Sequence, residues 1–163
     1  MRRFAVVALL VAAVGLIGAG ATFAGGDHGR GDRGLSFTST EATFVAIPVT
    51  AGKFSVGDRV AFSDDVFAAQ GANKVGTDGG ECTTVRVIDA AAASGVLQCL
   101  VTFDLPGGQI TTQALNTLTN GGFAGAQTGA ITGGTGRFRG ASGQFTVTFL
   151  SGGATNLTFF LDD

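Results

Sequence analysis

Gly133-Gly134-Thr135-Gly136-Arg137-Phe138-Arg139-Gly140-Ala141-Ser142-Gly143-Gln144 is the stretch whose reading decides how this chain folds. Glycine takes positive φ and lets two backbones approach closely without a Cβ penalty, so such a cluster marks a turn of one fixed shape. An alternating segment, Phe145 to Leu150, follows it and reads as a strand. A phosphate loop would need Gly-x-x-x-x-Gly-Lys-Ser/Thr, or Gly-x-Gly-x-x-Gly opening a helix, so that amide N–H groups and the helix dipole meet the anion. Neither spacing is present. Gly133, Gly134, Gly136, Gly140 and Gly143 are therefore read as turn residues of a tight β corner.

Outward from this corner, the chain beyond Leu35 is a series of short Val/Thr/Phe-rich runs broken by Gly, Asn and Asp. Strands are expected near 36–47, 56–67, 82–89, 95–105, 109–118, 123–131, 143–150 and 156–162. No segment sustains helical periodicity. Eight regularly spaced strands predict an all-β, antiparallel sandwich or barrel, and closure into a barrel removes exposed edges. The 163 residues amount to a single domain.

The N-terminus has the pattern of a signal peptide over residues 1–24. Arg2 and Arg3 form a positive start, Phe4 to Gly20 an apolar run, and Ala19-Gly20-Ala21 or Thr22-Phe23-Ala24 a small-residue exit. The alternative is a retained membrane anchor, since Phe4 to Ala24 is long enough to span a bilayer. Interleaved Gly and Ala favour cleavage, hence a secreted or extracytoplasmic domain with no stable membrane insertion. Residues 25–34 (GGDHGRGDRG) read as a flexible linker, leaving 35–163 as the β domain. His28, the single histidine, falls in that linker, so neither a Ser-His-Asp triad nor a His-based metal site is expected. Charge is sparse, and removing Arg2 and Arg3 takes the formal net charge from −2 to −4. Without a basic stripe, nucleic acid is not an expected partner.

Two groups carry the chemistry. Cys82 and Cys99 are the only cysteines, and their positions centre a hairpin between Ala90 and Ala91, which would oppose them directly across two strands. A disulfide is favoured over two free thiols in an oxidising compartment. Asp64 alternates with Phe62 and Val66, and a carboxylate on an apolar strand face must be paired, hydrated or set in a wet cavity. Asp64 thus either lines a pocket or sits, with Asp65, on a solvated rim.

Several landmarks together resemble the allene oxide cyclase and dirigent protein families. Ala130-Ile131-Thr132-Gly133-Gly134-Thr135-Gly136 with Phe138, Gly140 and Gly143 is similar to their C-terminal signature. Gly57-Asp58 with Phe62-Ser63-Asp64-Asp65, then Lys74-Val75-Gly76 and Gly80-Glu81-Cys82, then Gly108-Gln109-Ile110, follow the families' order from about Val56 to Leu161. The resemblance implies a closed eight-stranded barrel with a pocket, in proteins that are often homo-oligomers. It places Phe62, Asp64, Cys82 and Gln113 at the pocket, Cys82 where the cyclases carry a pocket cysteine, and Glu41 near an acidic residue of their first strand. Two departures stand out. No Tyr or Trp is present, and Thr77 and Gln113 stand where dirigent proteins carry arginines.

The function expected from this reading is a cofactor-free barrel that encloses a small hydrophobic molecule and steers its cyclisation or coupling, with Asp64 and Glu41 as the catalytic acids. The alternatives are a non-catalytic lipocalin-like carrier, or a cell-envelope barrel whose lumen is filled by its own side chains.

Overall fold

Alternating apolar residues need one buried face, and a closed barrel provides it for every strand at once. A computed structural model of the protein describes residues 33–68, 73–123, 125–150 and 152–162. The expected signal peptide and residues 25–32 of the expected linker lie outside them. The strands are β1 (Arg33–Ile47), β2 (Arg59–Phe67), β3 (Lys74–Asp89), β4 (Ser94–Leu105), β5 (Gly108–Thr119), β6 (Gly122–Phe123), β7 (Ala126–Gly134), β8 (Gly143–Phe149) and β9 (Ala154–Leu161). All pair antiparallel in the order β4-β3-β2-β1-β9-β8-β7-β5, and β4 pairing with β5 closes the ring. Eight strands form the barrel. The two-residue β6 pairs only with the end of β5, through Leu118 and Phe123.

The expected boundaries shift in several places, among them 123–131, where β7 runs Ala126–Gly134 and makes strand residues of Gly133 and Gly134, which were expected in the turn. Arg33 and Gly34, assigned to the linker, pair with Leu161 and Phe160 in β9. Residues 56–58 belong to the loop before β2, where the Asp58 carboxylate accepts hydrogen bonds from Val49 N (2.7 Å), Ser55 N (2.8 Å) and Ser55 Oγ (2.9 Å). The strand expected at 82–89 begins eight residues earlier, at Lys74. Its glycines serve close approach to the neighbouring strands. A Cβ on Gly76 would strike the carbonyl of Asp104, and one on Gly80 would lie 2.6 Å from the Leu100 carbonyl and 2.9 Å from the Phe62 ring.

One end of the barrel is packed shut. Val66, Phe103, Leu105, Ile110, Ile131, Phe145 and Phe159 fill it, and Phe138 closes the floor from the glycine corner. Phe103 and Phe159 meet edge to face at 4.9 Å between ring centroids. Each fully buried Ile or Phe contributes roughly 1.5–3 kcal/mol relative to exposure. The corner that delivers Phe138 is a single 3₁₀ turn, Gly136–Phe138. Gly136 sits at φ +58°, with its missing Cβ directed at the Gly107 carbonyl, and a Cβ on Gly134 would lie 2.5 Å from the Phe138 carbonyl. Arg137 stacks its guanidinium 4.7 Å over the Phe138 ring, so its charge caps the outside of the plug.

Candidate functional site

Above the packed floor the lumen stays open. A cavity of about 220 Å³ lies above the floor and extends to Phe44 of β1, Phe123 of β6 and Leu150 and Gly153 of the β8–β9 connection. Its walls are apolar and rich in phenylalanine: Phe62, Val101, Phe123, Phe145, Val147, Phe149 and Leu157 line it. Phe123 and Phe149 stack at 4.8 Å between centroids. The Cys82–Cys99 disulfide forms part of the wall, its two half-cystines directly paired across β3 and β4 and both buried. The cystine leaves no free cysteine among the described residues, and the thiol role that the resemblance offered Cys82 is thereby closed.

The acids of the cavity are concentrated in one lateral row just above the floor. Glu41 on β1 pairs with Asp64 on β2, and Asp64 pairs with Asp78 on β3. Directly paired residues share a face, so all three acids line the cavity together. A bulge in β1 immediately after Glu41 keeps Phe44, at the rim, on the same inner face. Ser39 Oγ donates to Asp64 Oδ2 at 3.2 Å and lies 2.6 Å from Thr155 Oγ1. The Asp64 backbone N–H donates to Asp78 Oδ1 at 3.2 Å. Burial, then the neighbouring Asp64 charge, pushes the Asp78 carboxyl up to about 7, against the weaker pull of that hydrogen bond. Asp64 is also raised, chiefly by burial, with Glu41 and Asp65 adding to the shift and the Ser39 hydrogen bond opposing it.

Of the residues expected at the site, Glu41, Phe62, Asp64 and Cys82 line the cavity, Glu41 at an exposed position and Asp64 half-buried. Asp65 points outward, ion-paired with Lys74 at 2.6 Å. Gln113 is a correction: it is exposed on the outer face, because β5 turns Thr112, Ala114 and Asn116 inward. Asp78 was missed. The run Thr77-Asp78-Gly79-Gly80 has turn chemistry, and the signal that would have found it is the pairing register, which sets Asp78 opposite Asp64. Asn116 was missed as well; it is buried in the cavity wall, and its Oδ1 has no hydrogen-bond partner. Among the described residues no group of three or more His, Cys, Asp or Glu is arranged to hold a metal ion.

The fold is thus an eight-stranded antiparallel barrel with a closed floor and an acid row inside its lumen. Residues 36–159 match the allene oxide cyclase barrel like domain, and the chain belongs to that family. Among solved structures it is similar to a protein named pyocyanin demethylase, with a TM-score of 0.68 and 26% identity over 79% of this chain and 99% of the other. A pterocarpan synthase dirigent protein superposes with a TM-score of 0.64 and 20% identity, over 79% of this chain and 86% of the other. A Diels–Alderase from Streptomyces koyangensis superposes with a TM-score of 0.60 and 12% identity, over 83% and 71% respectively. No curated protein matches at a significant level.

Proposed function

We propose that this protein encloses a small hydrophobic molecule in its lumen and steers a ring closure, coupling or isomerisation of that guest. The observation that carries the reading is the placement of a buried carboxyl, Asp78, next to a second acid, Asp64, at the base of an otherwise apolar cavity. Burying a carboxyl beside a second acid costs free energy, and the single backbone hydrogen bond that Asp78 accepts from Asp64 offsets only part of it. The Phe and Val walls hold the guest in one conformer, which removes much of the entropic barrier to an intramolecular reaction. Asp78, poised near neutral pH, gives or takes a proton at the guest's polar atom. Asp64 steadies positive charge that develops beside it. Demethylase, dirigent and Diels–Alderase proteins built on similar barrels support the class of activity.

Export to an oxidising compartment belongs to the same proposal, supported by the apolar N-terminal run and the cystine in the lumen wall. The test is to incubate the folded domain with lipid and small-molecule extracts, re-isolate it, and identify by mass spectrometry what it retains. The reading expects a retained compound, converted to an isomer by the wild type and returned unchanged by the Asp64→Asn/Asp78→Asn variant. Retention without conversion would make the protein a carrier. No retention, in a protein shown to be folded, would contradict enclosure.

A further inference from the structure

Among the described residues, the charged groups that line the lumen all have one sign. Glu41, Asp64 and Asp78 supply three acids, and among the described residues no Lys, Arg or His lines the cavity to neutralise them. Across the lumen, on β5, Asn116 is only 6% exposed, and its amide oxygen is a buried acceptor with no donor. Its inner-face neighbours along β5 are Ala114 and the half-buried Leu118, which have no side-chain donor to offer. The cavity therefore presents its charge at the acid row, and a guest that complements that row must bring donors or positive charge. The walls act in the same sense, because the faces of Phe62, Phe123, Phe145 and Phe149 are electron-rich.

We propose that the guest is a lipophilic organic cation, either a protonated amine or a ring nitrogen cation whose charge is delocalised. This rests on the enclosure proposed above and names its substrate class. A delocalised cation loses little hydration on entering an apolar site and gains from both the acid row and the aromatic walls. An anionic lipid, such as a free fatty acid, meets the opposite field: its carboxylate would stand beside Asp64 and Asp78 without a counter-charge. The same acids that attract the guest hold its polar end at the base of the lumen, where Asp78 can exchange a proton with it.

The test uses three two-ring probes of matched size: N-methylquinolinium as cation, 1-methylnaphthalene as neutral form and 1-naphthoate as anion. Binding to the folded domain is measured by equilibrium dialysis at pH 8. The cation is expected to bind at least tenfold more tightly than the neutral probe, and the anion more weakly than either. Asp64→Asn/Asp78→Asn should abolish the cation's advantage and leave the neutral probe's affinity within about threefold. Asp64→Asn alone, which keeps Asp78 and its backbone hydrogen bond, should reduce that advantage if the double variant does not fold. Equal binding of cation and neutral probe, or tighter binding of the anion, would overturn the charge preference while leaving enclosure standing. Failure of all three probes to bind would overturn both.

Discussion

Asp64 and Asp78 face each other across β2 and β3, joined by a hydrogen bond from the Asp64 backbone N–H to the Asp78 carboxylate at 3.2 Å. The fold thus spends stability on a pair of acids it could have replaced by apolar side chains. The elements packed against Asp78 contribute Glu41 and Asp64 as facing charges, both negative, whereas β4 contributes the Phe103 ring. The Asp78 carboxyl titrates near 7 in the folded protein and at 3.8 ordinarily. Between these values the folded protein keeps a proton that the unfolded chain has lost, so stability falls as pH rises through that window and levels off above about 7. Asp64, raised in the same direction, adds to the trend, while Asp58, held down by its three loop hydrogen bonds against a raising effect of burial, acts only below the ordinary carboxylate range.

Asp78→Asn is therefore expected to stabilise the protein by a few kcal/mol, roughly, at pH 8 and to change little near pH 4. Thermal unfolding of wild type and variant from pH 4 to 8 checks this. A wild type equally stable at both ends would contradict it.

Asn116→Leu should separate stability from binding. Removing a buried acceptor that has no partner is worth about 1–3 kcal/mol in the empty protein. That oxygen is closed off from the lumen surface, so guest affinity should stay nearly unchanged as the melting temperature rises. Denaturant unfolding and probe binding on one preparation measure both. A destabilised variant would mean that Asn116 serves the fold.

Cys82 and Cys99 close a loop with a sequence separation of 17. The native oxidised protein should show no titratable thiol, and reduction should lower its stability by about 3 kcal/mol or less. Thiol titration in denaturant, with and without reductant, is the check.

The glycine corner should divide by position. Gly136→Val and Gly143→Val place a β-branched side chain at positive φ and against a carbonyl, so both should impair folding. Gly140→Ala meets open space and carries only the strain of φ +76°, and Gly133→Ala meets nothing closer than 3.4 Å. These two should fold, Gly133→Ala close to wild-type stability. Soluble yield and melting temperature across the four variants rank them.

These positions also mark how far the sequence could be read. Close backbone approach is written in glycine itself, so the corner was legible at Gly136, Gly140 and Gly143, whereas Gly133 and Gly134, read as turn residues, belong to β7. The cystine was legible because two positions and one turn define a hairpin register, and bulges after Thr84 and Val87 shift only the turn, leaving Cys82 opposite Cys99. Facing was not legible in β5, where Thr112 and Asn116 point inward while Leu115 is 64% exposed, the reverse of ordinary alternation. That reversal hid Asn116, whereas Gln113 was set at the pocket by the family resemblance, whose register does not carry over to this strand face. Asp78 was hidden because Thr77-Asp78-Gly79-Gly80 has the composition of a turn, and only strand pairing reveals it as the inner face of β3.

The most direct test of the central claim is to map where a small guest sits, by NMR chemical-shift perturbation with N-methylquinolinium and 1-methylnaphthalene. The account predicts shifts concentrated at Phe62, Asp64, Asp78, Phe123 and Phe149, inside the barrel, with the outer face around Leu100 and Leu115 unmoved. Shifts confined to that outer face, or none at all in the lumen, would contradict it.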